Sequence, residues 1–181
     1  VKLRWMEITC GEAPFMTSRY DTTTGRAIHI EDRIGFLDRK LRIVNENTCN
    51  REDWFDAAVT AYQTSRAYEW QGDNLLLARE SLLYTFIDNY EYKFGERPDH
   101  ELVREIADII SWNVWQMDGL KGVIPNSCHD VENRNLYGEI ERTPCPGCKT
   151  NNIHNHNGIP VLLKAFSAGN TYPFHLLSKK R

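Results

Sequence analysis

The chain has 181 residues, of which 41% are hydrophobic and 26% charged, and its net charge is -3. That is length and apolar content enough for one ordinary domain with a core, or for one domain and a small appendage. It excludes a chain-wide attraction to nucleic acid, which would need a local basic patch, and no apolar run approaches the roughly 20 residues of a membrane-spanning helix.

No secretory signal pattern opens the chain. It begins on Val1 rather than Met, which reads as a trimmed N-terminus. The five cysteines, at positions 10, 49, 128, 145 and 148, are odd in number and dispersed. A disulfide scaffold would want an even, dense set in a shorter chain. The expectation is a reduced, cytosolic protein.

In chain order, the first segment is irregular. It carries Gly11, Pro14 and the turn-like DTTTG, and RAIHI alternates as a short strand would. A helix is predicted from near Glu31, with Ile34, Leu37, Leu41 and Val44 at helical spacing. NENTCN ends it. Asn50 is placed to cap a second helix, with Glu52 and Asp53 in its first turn and Trp54, Ala58, Ala61 and Tyr62 as its apolar stripe. EWQGD punctuates, with Asp73 as the next cap. Residues 74–93 are the strongest helical pattern, with Leu76, Leu83, Ile87 and Tyr90 on one face and Leu75, Leu82 and Phe86 broadening it. FGERPD ends that helix, Asp99 caps a fourth, and Leu102, Ile106, Ile109, Ile110 and Trp112 point inward from it. Gly119 and Gly122 close it.

Past Pro125 the composition shifts to Asn, Gly, Pro, Cys and His. GIPVLLKAF and TYPFHLL read as strands, with Pro160 and Pro173 favouring edges. The tail SKKR is short and expected to be mobile. The predicted fold is mainly α, an antiparallel core of about four helices, with a small α+β, zinc-knuckle C-terminal part. The predicted division is 1–122 and 123–181.

The stretch CPGCKTNNIHNHNG carries the chemistry. A tetrahedral zinc needs four N or S ligands, and Cys-x-x-Cys lets one tight turn supply two of them. Cys145 and Cys148 are therefore the first pair for one zinc ion, and the remaining two ligands come from Cys128, His129, His154 and His156. In an extended strand His154 and His156 would face the same side. A small segment has little core of its own, and a metal would supply the missing stability. The adjacent letters His-Asn-His do not make a nuclease, whose histidine base and metal ligands are spread over a hairpin and a helix.

Elsewhere the chemistry is thin. Asp88, Glu91 and Lys93 sit at helical spacing and read as a solvated face. Cys10 has no nameable histidine partner, and no glycine-rich loop has phosphate-binding spacing. Arg33, Arg39, Lys40 and Arg42 form a basic group able to touch phosphates, diluted by acidic neighbours.

The strings RWMEITCGEAPFMTSRYDTTTG, RIGFLDRKLRIVNEN, EWQGDNLLLARESLLYTFIDNY and IISWNVWQMDGLKGVIPNSC, followed by CPGCKTNNIHNHNG, resemble a family of small bacterial, phage and plasmid proteins usually labelled restriction endonuclease or DNA methylase subunits. The likeness runs over nearly the whole chain. It is looser in CNREDWFDAAVTAYQ and TSRAYEW. A DNA amino-methyltransferase needs an Asn/Asp-Pro-Pro-aromatic motif, and no two prolines are adjacent here. Proteins of this kind on mobile elements are also similar to a type II anti-CRISPR inhibitor. The resemblance implies a non-enzymatic binding protein that occupies the surface of a type II CRISPR–Cas effector nuclease, its DNA, or both. The alternative it implies is a DNA-binding accessory subunit of a restriction-modification system. Trp54, Tyr68 and Trp70 are the expected aromatic anchors of the partner contact. Glu52, Asp53 and Asp56 are the acids around them, with Glu46, Asp130 and Glu132 as further acidic candidates.

Overall fold

A computed structural model describes residues 1–178; Lys179, Lys180 and Arg181, the end of the tail expected to be mobile, lie outside the described residues. Among the described residues the protein is a mixed α+β fold with five α-helices and seven short strands. It divides into two compact units, residues 1–115 and 116–181. The compositional change near 123 falls inside the second unit.

The first unit holds the four long helices anticipated above: α1 (Phe36–Asn47), α2 (Arg51–Gln63), α3 (Gly72–Phe94) and α4 (His100–Asn113). It is not purely helical. Strand β1 (Trp5–Ile8) pairs in parallel with β2 (Ser65–Glu69), Trp5 opposite Ser65, and β3 (Val114–Gln116) lies on the other side of β2. A parallel pair needs a long crossover, and here α1 and α2 supply it. β2 escapes a sequence reading because it is buried at four of its five positions, so it shows no alternation.

Local chemistry sets the helix starts. Asn50 caps α2 as expected, its Oδ1 accepting the Asp53 N–H at 2.9 Å. α1 begins at Phe36 because Gly35 is its cap and Asp38 folds back on it, Oδ2 accepting the Gly35 N–H at 3.1 Å and the Ser18 N–H at 2.7 Å. A Cβ at Gly35 would lie 2.5 Å from the Met16 carbonyl oxygen, so only glycine lets the N-terminal segment cross there. α3 begins at Gly72, capped by Gln71 rather than Asp73.

α3 presents its core differently from its simplest helical reading. Leu75, Ala78, Leu82, Phe86 and Tyr90 are buried, while Leu76 is 67% exposed. Leu76, Leu83 and Ile87 instead line a surface groove with Ala107 and Ile110 of α4. Both faces of α3 are apolar, so periodicity alone could not choose between them.

The centre of the first unit is aromatic. Trp54 is fully buried, with Phe86, Tyr90 and Phe94 at centroid distances of 5.7, 5.4 and 5.8 Å. Its Nε1–H donates to Asn45 Oδ1 at 2.7 Å, and Asn45 Nδ2 donates to Asn89 Oδ1 at 2.9 Å.

The second unit has a small core of Met117, Val123, Val161, Leu163 and Phe174. Two antiparallel hairpins, β4 (Val131–Arg134) with β5 (Ile140–Thr143) and β6 (Leu162–Ala165) with β7 (Asn170–Pro173), flank the single short helix α5 (Pro146–Thr150). Pro173 closes β7 opposite Leu162, an edge position of the kind proline tolerates.

Replacing Trp54 by Ala should destabilise the first unit by about 3–5 kcal/mol, the range for a buried large aromatic whose site cannot collapse. Urea unfolding of the full chain followed by far-UV circular dichroism measures it.

Candidate metal centre

The second unit gathers Cys128, Cys145, Cys148 and His156 so that their ligand atoms all lie within 4.8 Å of one another. Pro146 opens α5 directly after Cys145, and Gly147 follows. The turn brings Cys148 back beside Cys145. Gly147 is required by close approach, because a Cβ there would lie 2.5 Å from the His156 backbone nitrogen and 2.6 Å from His156 Nδ1. Gly158 does the same for the other arm. A Cβ there would meet Ser127 Oγ at 2.5 Å and Cys128 Sγ at 3.1 Å.

His156 Nδ1 faces all three sulfurs, at 3.6 Å from Cys128, 3.8 Å from Cys145 and 3.7 Å from Cys148. A tetrahedral ion with metal–sulfur bonds of about 2.3 Å and a metal–nitrogen bond of about 2.0–2.1 Å has sulfur–nitrogen edges of about 3.6 Å. The four side chains could therefore hold one metal ion, and a donor set of three sulfurs and one imidazole is compatible with zinc.

Hydrogen bonds outside the four ligands fix this arrangement. The Asn157 N–H donates to Cys145 Sγ at 3.4 Å. The Asn157 side chain clips the main chain beside Cys128, Nδ2 donating to the His129 carbonyl at 2.7 Å and Oδ1 accepting the His129 N–H at 3.2 Å. Ser127 Oγ accepts the Ile159 N–H at 3.0 Å. Sequence reading missed Asn157, Ser127 and Gly158, whose only signal was their place beside Cys128 and His156.

The thiols are electrostatically uneven. Burial pushes the Cys128 thiol up to about 11, reinforced by the neighbouring Cys145 and Cys148. Burial also acts upward on Cys145, but the N–H groups of Asn157 and Cys148, then His156 and the Gly147 N–H, outweigh it and bring Cys145 down to about 6. Three crowded thiols cannot all ionise without a cation among them, and a bound dication removes that penalty. Lys121 stands at the rim. Burial disfavours its ammonium, but the hydrogen bond and charge of Asp118, then the charges of Cys148 and Cys128, raise its pKa overall.

Two predicted ligands lie outside the cluster. His129 is exposed, and only its main chain is engaged, by Asn157. His154 turns its ring edge onto His175, centroids 5.6 Å apart. Residues 151–158 form turns rather than a strand, so His154 and His156 do not share a face.

The predicted nucleic-acid group does not form a basic patch. Arg33 is buried, with Nη1 on Asp88 Oδ2 at 2.8 Å and Nε donating to the Ile28 carbonyl. Lys40 is 4% exposed, donating to Thr64 Oγ1 at 2.7 Å and Ser65 Oγ at 2.9 Å. Arg42 Nη2 is spent on the Glu31 and Arg33 carbonyls, and only Arg39 stands exposed. The reason is tertiary: Arg33 reaches Asp88 on α3, Lys40 reaches the end of α2, and Arg42 holds the segment that leads into α1. The anchor set changes likewise. Trp54 and Tyr68 are core residues with 0% and 1% exposure, whereas Trp70 is 38% exposed. Glu52, Asp53 and Asp56 are exposed on α2, as are Glu46, Asp130 and Glu132 in their own segments. Asp88 accepts from Arg19 and Arg33, and Lys93 Nζ donates to the Asn45 carbonyl. The helical Asp88–Lys93 spacing thus serves structure. The Cys10 thiol is pushed up to about 12 by burial and by the charges of Glu7 and Glu69, the opposite of an activated nucleophile.

No family model, no curated protein and no solved structure matches the chain in comparisons with known proteins.

Replacing Gly147 by Ala should weaken metal binding by ~10-fold or more by displacing His156, although all four ligand residues are retained in the sequence; competition with a chromophoric zinc chelator reads this directly. A separate prediction concerns Lys40, whose pKa burial lowers from 10.5 to about 8. Its charged form is penalised only in the fold, so the cost is full below pH 8. Between pH 8 and 10.5 the unfolded chain holds more protons than the native one, and stability must rise with pH. The wild type should gain stability relative to Lys40→Met across that window, measured by urea midpoints at fixed ionic strength.

Proposed function

We propose that the protein is a non-catalytic binding protein whose C-terminal unit is held by one structural zinc ion, and that it acts by occupying the surface of a type II CRISPR–Cas effector nuclease. The observation that carries the structural-zinc part of this reading is the completeness of the donor set, three sulfurs around one imidazole nitrogen at 3.6–3.8 Å. Four protein ligands leave no open position for a substrate or an activated water, which is the arrangement of a structural site. Cys128, Cys145, Cys148 and His156 would hold the ion, and it would supply the cross-link that a small core lacks.

The direction of the surface comes from the family resemblance and from charge. Such an effector holds its guide and target in basic channels and reads its flanking motif with arginines. A chain of net charge -3 offers acids to such channels, with Glu52, Asp53 and Asp56 exposed on α2, Asp130 and Glu132 in the second unit, and Trp70 half-exposed nearby in sequence to α2. Each exposed ion pair contributes about 0.2–1 kcal/mol, so the acids tune a contact rather than make it. The reading places the protein in the bacterial cytoplasm, where its five cysteines, none in a disulfide, would stay reduced and three of them available to the metal. No helix among the described residues is long and apolar enough to cross a membrane.

Metal analysis of protein purified without chelator should give one zinc per chain. EDTA treatment, or Cys145→Ser, should unfold the second unit and leave the far-UV signal of α1–α4 largely intact. A stoichiometry well below one, with folding unchanged by EDTA, overturns the zinc assignment. Target cleavage by guide-loaded type II effectors should fall when the protein is added. Absence of inhibition and of a complex across several effectors, with binding to a restriction-modification enzyme or a steeply salt-dependent binding to bare duplex DNA, would shift the function to the accessory-subunit reading.

A further inference from the structure

Residues 132–142 are all exposed, so the β4–β5 hairpin stands in solvent on both faces. Glu132 lies opposite Arg142, Asn133 opposite Glu141 and Arg134 opposite Ile140, which gives neither face an apolar stripe. A lone two-stranded hairpin is marginal in water, yet this one is fixed at both ends. Its base is closed by the Cys/His cluster, with Cys128 just before β4 and Cys145 just after β5.

Its tip is closed by Asn135. That side chain accepts the N–H groups of Tyr137 and Glu139 at 3.0 and 2.9 Å and donates to Glu139 Oε2 at 2.8 Å. The Gly138 N–H completes the turn on the Asn135 carbonyl at 3.0 Å, with Gly138 at φ +81°.

Asn135 and Gly138 meet every conformational demand of this turn. The two positions between them are ones that proteins ordinarily fill with small or polar residues. Here they are Leu136 and Tyr137, 102% and 90% exposed. A large apolar pair on a preorganised apex, its side chains making no hydrogen bond or ring contact there among the described residues, is what an anchored contact needs. The ordering cost is met before binding, and tyrosine is a preferred hot-spot residue.

We infer that the β4–β5 hairpin is a docking finger that inserts Leu136 and Tyr137 into an apolar pocket with a basic rim on a protein partner. The rim follows from charge, since Asp130, Glu132, Glu139 and Glu141 stand against only Arg134 and Arg142 over this arm. The same excess of carboxylates disfavours a phosphate backbone, and a second copy of the arm would set acid against acid. The inference rests on the reading that this chain works by occupying a protein surface, and it names the element that does so.

The test uses the full zinc-loaded chain, with guide-loaded type II effectors and restriction-modification enzymes as immobilised probes. The double variant Leu136→Ser/Tyr137→Ser is compared with wild type and with Leu120→Ser, an 86% exposed apolar residue outside the hairpin. The tip variant should bind ~10-fold or more weakly, and the Leu120 variant within about 2-fold of wild type. Zinc content and circular dichroism should be the same in all three. Tip-dependent binding to a restriction-modification enzyme alone would support the finger and redirect the partner. A tip variant that binds and inhibits like wild type overturns the finger and leaves the surface-occupying reading standing. Wild-type protein that binds neither class of enzyme overturns both. Tip-dependent binding to bare duplex DNA with no protein complex assigns the apex to nucleic acid and overturns the inference.

Discussion

Three sulfurs converge on one ring nitrogen in the C-terminal unit, in an arrangement that could hold one metal ion. Without it, Cys128 is held protonated by burial and by its neighbours while Cys145 is drawn toward its thiolate. With a dication among them, all three sulfurs can ionise together. The second unit buries few large apolar side chains, so a metal held here would add a cross-link to a small core. Gly147 and Gly158 allow the backbone close enough for the cluster to form, and Asn157 and Ser127 keep its two arms in register.

The first unit solves a different problem. Its core is aromatic, and several of its buried polar groups work as fasteners. Asp38 pins the N-terminal segment to the start of α1. Lys40 reaches to the end of α2 and donates to the Thr64 and Ser65 hydroxyls there, as cations near helix C-termini do. Arg19 and Arg33 converge on Asp88 from the N-terminal segment and the approach to α1. These cations belong to the interior. They explain how a basic-looking helix can leave little basic surface.

Under the proposed function the two units divide the labour. The helical first unit would supply acidic surface, and the β4–β5 hairpin of the second unit would present apolar side chains. A closed zinc site suits that role because it contributes stability without contributing reactivity. The anchors that sequence favoured, Trp54 and Tyr68, are consumed by the core, while Leu136 and Tyr137 carry no periodic pattern to mark them. Turn residues declare themselves only when the hydrogen bonds around them are known.

The sequence by itself determined the four long helices, the Asn50 cap, the break in character after the helices, and the pool that contains the four residues of the candidate metal cluster. Each of these is set by local chemistry: periodicity, capping side chains and the reach of Cys-x-x-Cys. Tertiary structure alone decided the rest. It selected Cys128 and His156 over His129 and His154, because ligand choice depends on which turns meet in space. It revealed β1 and β2, whose parallel pairing spans the whole crossover and whose buried strand has no alternation to read. It chose the Leu75–Leu82–Phe86 face of α3 over the Leu76–Leu83 face, since a helix apolar on both sides is oriented by its neighbours. It turned Arg33 and Lys40 inward, because a charge is buried or solvated according to partners distant in the chain, and no window of sequence contains them.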